Sequence, residues 1–190
     1  MRAVVRRGVF HICCGMVLAL SGLFLPRNTV VITLGVMTLL WLAFELARFA
    51  IPTVNRWFFR AFRFYVREAE ATSATGALYM IMASFLAYLA FETHIAMLAI
   101  AFLAVGDAIG AIVGNTVGRT KSLKKTLEGD MACFLSCIAM GFIFYFSGLV
   151  SDMTLIIVGS ISATVIEAVP LPVNDNFMMP LFSGFVMSVV

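Results

Sequence analysis

Seven apolar blocks, most of them long enough to cross a bilayer, leave this chain few ways to fold. They run Val9–Leu25, Thr29–Ile51, Thr75–Phe91, Ile95–Val117, Met131–Val150, Met153–Val169 and Phe177–Val190. A crossing helix needs about 20 predominantly apolar residues, and in hydrocarbon a single chain segment satisfies its backbone only as a helix. Hydrophobic residues make up 62% of the chain and charged ones 12%, where a soluble domain carries roughly a quarter charged. The expectation is one all-α domain over residues 1–190, a polytopic transmembrane helix bundle of about seven spans. The last block is short and contains Pro180, so six helices and a re-entrant tail form the alternative.

Pro26-Arg27-Asn28, Pro52, Glu92-Thr93-His94, Ser151-Asp152 and Pro170-Leu171-Pro172 separate the blocks. Arg2, Arg6 and Arg7 before the first block resemble a signal peptide. The block contains His11, lacks a small-x-small cleavage site and runs straight into another span, so it reads as the first helix. Cys13, Cys14, Cys133 and Cys137 lie inside apolar blocks and read as small hydrophobes.

Placing the N-terminus inside puts twelve of the 13 Lys and Arg residues on the inner side and only Arg27 outside. That bias sets the expected topology, with a cytoplasmic N-terminus. Between the second and third spans, N-R-W-F-F-R-A-F-R-F-Y-V-R (Asn55–Arg67) spaces Arg56, Arg60, Arg63 and Arg67 helically among aromatics. It reads as an amphipathic interfacial helix, either a plain anchor or a lateral gate for a lipid. Glu45 and Arg48 are spaced to pair with each other.

An ionisable group inside a bilayer is costly and marks a functional-site candidate. Asp107 lies in the fourth span, and Gly106, Gly110, Gly114 and Gly118 recur every fourth residue. That glycine face suits close helix packing, or the approach of a nucleotide to bare backbone. Asn115 lies two turns beyond Asp107 on the same face. The next loop carries Arg119, Lys121, Lys124 and Lys125 with hydroxyls of Thr120, Ser122 and Thr126, then Glu128 and Asp130. Cations and hydroxyls suit phosphate, and carboxylates suit Mg²⁺, although no Walker A motif is present. Glu167 and Asp175-Asn176 fall on the same side and supply a second wall. Glu68 and Glu70 are weaker candidates, equally readable as a solvated face, and His11 could reach phosphate or a backbone carbonyl.

Arg7-Gly8-Val9-Phe10-His11…Gly15, Glu45…Arg48, G-D-A-I-G-A-I-V-G-N-T-V-G-R, K-K-T-L-E-G-D and E-A-V-P-L-P-V-N-D-N together resemble the dolichol kinase, phytol kinase and CTP-dependent diacylglycerol kinase family. That family is related to the phosphatidate cytidylyltransferases. The resemblance implies a membrane enzyme moving the γ-phosphate of CTP onto a lipid hydroxyl at the cytoplasmic face. Its motif positions fall on Asp107, Asn115, Lys125, Thr126, Glu128, Glu167, Asp175 and Asn176. One departure is Gly8, which stands where the family often has lysine.

The reading that follows gives Asp107, Glu167 and Asp175 to catalysis and Mg²⁺. Arg119, Lys121, Lys124 and Lys125 would hold the triphosphate, with Asn115, Thr126, Glu128 and Asn176 at the nucleotide. Gly110 and Gly114 would let the lipid enter. The partners are a nucleoside triphosphate, a lipid alcohol (polyprenol, diacylglycerol or phytol-like) and the bilayer. Nothing calls for nucleic acid, and the glycine faces could support a homodimer. The protein is expected in a membrane, the cell membrane if prokaryotic. The alternatives are a cytidylyltransferase making a CDP-lipid, and, less favoured, a transporter, which would need a polar path outward.

Overall fold

A computed structural model describes residues 2–190. Every regular element is helical, and the described residues contain no strand beyond an isolated bridge between Lys121 and Thr126. In chain order the helices are α1 (Arg2–Phe24), α2 (Arg27–Ala50), α3 (Pro52–Ala61), α4 (Gly76–Ala90), α5 (Thr93–Phe102), α6 (Ala108–Thr116), α7 (Leu127–Phe146), α8 (Met153–Ala168) and α9 (Asp175–Ser188). A π-helical turn, Leu103–Asp107, joins α5 to α6 in one continuous rod.

Among the described residues, four helical stretches are long and apolar enough to cross a membrane: Ala3–Phe24, Arg27–Ala50, Thr93–Thr116 and Leu127–Phe146. Helices α4 and α8 are apolar but shorter. The Thr93–Thr116 rod is apolar all round, the pattern of a helix enclosed by others, and it forms the centre of the bundle. Ala96 and Leu98 through Ala104 are buried, most of them completely. Around it pack α1, α4, α7, α8 and α9, while α2 lies outside α4 and carries α3.

Small residues set how closely these helices approach. A Cβ on Gly15 would meet the Ala104 side chain at 2.5 Å, and one on Gly8 would meet Ile112 Cδ1 at 2.7 Å. At Gly8 the nearest atoms are the flexible end of the Ile112 side chain, so α1 lies close against α6 there. The expected glycine face also has its partner. Gly110 faces Cys133 and Gly129, and Gly114 faces Thr126 and Gly129, so this face packs α6 on α7 and offers no path for a lipid.

Several boundaries differ from the sequence expectation. Helix α7 begins at Leu127 and ends at Phe146, four residues earlier at each end, because Thr126 caps it and Gly148 turns the chain at φ 71°. The segment Asn55–Arg67 is helical only to Ala61, and Arg63 and Arg67 lie beyond the helix end. There the chain turns back so that its later carbonyls can reach Arg48.

That turn is held by a buried clamp. Arg48 pairs with Glu45 Oε2, as the spacing predicts, and its guanidinium also donates to Asn55 Oδ1 (3.0 Å), Glu70 O (2.8 Å) and Ser73 O (2.7 Å). Glu45 Oε1 accepts from Thr75 N (3.1 Å) and Thr75 Oγ1 (2.6 Å) at the start of α4. Arg48 and Glu45 are 0% and 2% exposed, so neither charge has water to fall back on. At the opposite end of the bundle Arg27 donates to the Tyr88 and Leu89 carbonyls, satisfying the last turn of α4.

Candidate functional site

Asp107 closes the π turn, so the widened backbone sets its carboxylate at the junction of α5, α6 and α7. Single π turns inside α-helices recur at functional positions. The loop from Val117 to Thr126 folds back on itself through Leu127 N to Thr120 O (2.9 Å) and Ser122 N to Lys125 O (3.3 Å). Glu128 fastens it, accepting from Thr120 N (3.1 Å) and Thr120 Oγ1 (3.0 Å). This fold turns Lys125 inward and brings Lys124, still exposed, to the rim of the site.

Lys125 Nζ lies 2.6 Å from Glu167 Oε1, 3.1 Å from Asp107 Oδ1 and 3.7 Å from Asp175 Oδ2. Lys124 Nζ lies 2.5 and 2.7 Å from the two oxygens of Asp175. The three acids from α5–α6, α8 and α9 thus converge on one ammonium group. Burial alone would lower the Lys125 pKa, but the carboxylates of Asp107 and Glu167 outweigh it and hold the pKa above the ordinary lysine value.

The remaining candidates divide. Asn176 is brought in, its Nδ2 donating to Gly76 O (3.1 Å) beside the site. Thr126 serves as the α7 cap, accepting from Gly129 N at 3.3 Å. Asn115 is exposed and returns its amide to Ala111 O of its own helix (2.7 Å). Arg119 and Lys121 are exposed on the loop. Glu70 joins the α4 start, accepting from Gly76 N at 3.2 Å, while Glu68 is exposed.

On the other side of Asp107 lies a cavity of about 520 Å³. Its polar end is formed by Arg7, His11, Arg67, Glu70, Asp107 and Asn176, and its apolar walls include Phe10, Val17, Leu18, Met37, Trp41 and Met80. His11 Nε2 is buried there without a hydrogen-bond partner among the described residues. Arg7 and Arg67 had no place in the sequence-derived site. Arg67 belongs to the Asn55–Arg67 segment read as an anchor or a lipid gate, and Arg7 opens the Arg7-Gly8-Val9-Phe10-His11…Gly15 block; both share the inner-side excess of basic residues.

The donor chemistry fits a hard divalent cation in one respect. Glu167 Oε2 and Asp130 Oδ1 are buried carboxylate oxygens without partners, and oxygen ligands of this kind suit Mg²⁺. As arranged, however, no group of three or more His, Cys, Asp or Glu side chains among the described residues is set to hold a metal. Lys125 stands at the point where the acids meet, so a cation could bind there only with that lysine drawn aside. No family model, curated protein or solved structure matches this chain.

Proposed function

We propose that the protein is a lipid-alcohol kinase that moves the γ-phosphate of a nucleoside triphosphate, CTP by the family resemblance, onto a membrane alcohol. One observation carries this reading. Asp107 is the acid shared by the mostly apolar cavity, at its polar end, and the Lys125 cluster, so a hydroxyl on one side and a phosphate on the other would meet at its carboxylate.

In this mechanism the alcohol oxygen attacks the γ-phosphorus, the bond from that phosphorus to the β–γ bridging oxygen breaks, and the diphosphate leaves. The hydroxyl proton passes to Asp107. Lys124 and Lys125 exchange their carboxylate partners for phosphate oxygens, and His11 orients the alcohol. Phosphoryl transfer asks mainly for such positioning and charge neutralisation. Asp107, Glu167 and Asp175 would hold Mg²⁺, which when bound neutralises phosphate charge. In this reading seven segments span the bilayer, α9 included, with the N-terminus and the site on the cytoplasmic face where the Lys and Arg residues gather.

A second reading is supported by Arg7 and Arg67 at the polar end of the cavity, a cationic pair suited to a substrate that already bears phosphate. That substrate would make the protein a cytidylyltransferase. The test is incubation of purified protein with Mg²⁺ and γ-labelled CTP or ATP against a panel of phytol, polyprenol, diacylglycerol and phosphatidate. Label in the lipid supports the kinase, and labelled pyrophosphate supports the second reading. Asp107→Asn should abolish lipid labelling while the protein still elutes as a folded species in detergent. Undiminished labelling in that variant overturns the mechanism.

A further inference from the structure

We infer that the cavity beside Asp107 takes a single hydrocarbon chain, entering sideways between α1 and α2, so that the alcohol used is single-chained and not a diacylglycerol. This rests on the lipid-alcohol reading above. Three features of the cavity lead to it.

The first is its direction. Arg7, His11, Cys14 and Leu18 line it from α1 at steps of four, three and four residues, one ridge of that helix. Eleven residues along a helix axis cover roughly 16 Å. Charged groups stand at one end of this ridge and only apolar ones at the other, so an occupant must be a long molecule with a polar head.

The second is its opening. Val17 on α1 is 71% exposed and Met37 on α2 is 39% exposed, although both line the cavity. Both helices are long and apolar enough to cross a membrane, and these two residues lie well inside them. The mouth therefore faces hydrocarbon, and what passes it is hydrocarbon. At the polar end the Phe10 and Tyr65 rings stand 4.8 Å apart across α1 and the loop after α3 and are both exposed, so that end meets the interface and the α1–α2 gap is the side that meets hydrocarbon.

The third is its width. Opposite the mouth, Leu18, Met80 and Ile81 belong to the buried core. The Trp41 ring is fixed by its Nε1 donating to Thr75 Oγ1 at 3.1 Å, and Thr75 is in turn held by Glu45. The indole cannot swing aside without breaking that chain. A volume of about 520 Å³ is that of a pocket for one ligand of modest size, filled by one chain and its head, so the second chain of a diacylglycerol would be left outside the mouth.

Trp41 is also the reporter. The sequence contains two tryptophans, and Trp57 is exposed on α3, so Trp57→Phe leaves Trp41 alone to fluoresce. The variant in detergent is titrated with a phytol-type alcohol brominated along its chain, bromine being a short-range quencher. Quenching should saturate near one alcohol per protein, and unlabelled phytol should reverse it while the same amount of diacylglycerol does not. Quenching that rises without saturation, or that diacylglycerol reverses as well as phytol does, overturns the inference. No nucleotide is present, so the two readings separate. Saturable quenching in a protein that transfers no label keeps the single-chain pocket and removes the kinase. Label passing as readily to diacylglycerol as to phytol keeps the kinase and removes the pocket.

Discussion

Lys125 sits 2.6 Å from Glu167, a carboxylate with no exposed surface, and the lysine is itself only 24% exposed. The sequence places these residues 42 positions apart, and the pair ties the loop before α7 to the end of α8. Deleting one member of a buried ion pair leaves the other charge without solvent or partner. Lys125→Met is therefore expected to cost about 3–5 kcal/mol, read as a lower unfolding midpoint in detergent. The double variant Lys125→Met with Glu167→Gln should regain only part of the loss, because one stranded carboxylate is gone while Asp107, 8% exposed, still lacks its partner. The pH dependence follows the same pair. The Lys125 pKa is raised on folding, so its contribution is complete below the ordinary lysine value. That contribution is lost only as pH rises through the folded one. Mild alkali should leave the Lys125 contribution intact.

Lys124 and Asp175 form the contrasting pair. Their side chains are 31% and 14% exposed, so the bond is solvated enough to stabilise the fold by no more than about 1 kcal/mol. If Lys124 exchanges Asp175 for phosphate, Lys124→Ala should raise the KM for nucleotide at least tenfold with the unfolding midpoint almost unmoved. A fall in stability with KM unchanged would make Lys124 a structural strut.

How much of this was readable beforehand depends on the kind of signal each residue carries. Asp107 stands out as an acid inside a bilayer-length apolar block, and Glu167 and Asp175 stand out because they fall on the same side as it. The Glu45–Arg48 pair followed from its i, i+3 spacing. The π turn was invisible, since Leu103-Ala104-Val105-Gly106-Asp107 reads as uninterrupted helix. So was the end of α3, because Phe62-Arg63-Phe64 continues the pattern of arginines and aromatics past Ala61. From the sequence Lys125 reads as a phosphate ligand in an open loop. Its place among three acids depends on the fold of Val117–Thr126 and on which helices lie adjacent, and neither leaves a local pattern. The Trp41–Thr75 bond, which narrows the cavity, is long-range in the same way.

Arg48 is the buried cation whose replacement should be most damaging outside the site. It donates to Glu45, Asn55 and two backbone carbonyls from a position with no exposed surface. Lysine offers a point charge in place of a planar fork and cannot reach these acceptors together. Arg48→Lys is expected to cost about 3 kcal/mol or more, on the scale of breaking a buried pair. Because the Glu70 and Ser73 carbonyls lose their donor, the loop between α3 and α4 should become cleavable by limited proteolysis before the rest of the chain unfolds.

Two glycine substitutions separate packing at the site from backbone strain away from it. At Gly148, φ is 71° and nothing lies within 4 Å of a new Cβ, so Gly148→Ala costs only the left-handed backbone penalty, about 1 kcal/mol. At Gly129 a Cβ would stand 3.0 Å from Gly110 O, 3.1 Å from Thr126 Oγ1 and 3.2 Å from Gly114 Cα. Two of these are backbone atoms of α6, which cannot rotate away, so Gly129→Ala must push α7 off α6, an overpacking cost of about 1–3 kcal/mol. Residue 129 lies four positions after Lys125 and directly before Asp130, so that displacement reaches the ion cluster. Both variants should unfold at lower temperature, but only Gly129→Ala should slow lipid labelling, by tenfold or more under the kinase reading. Equal activity in the two, measured at a temperature where both are folded, would show that the α6–α7 contact does not position the lysine.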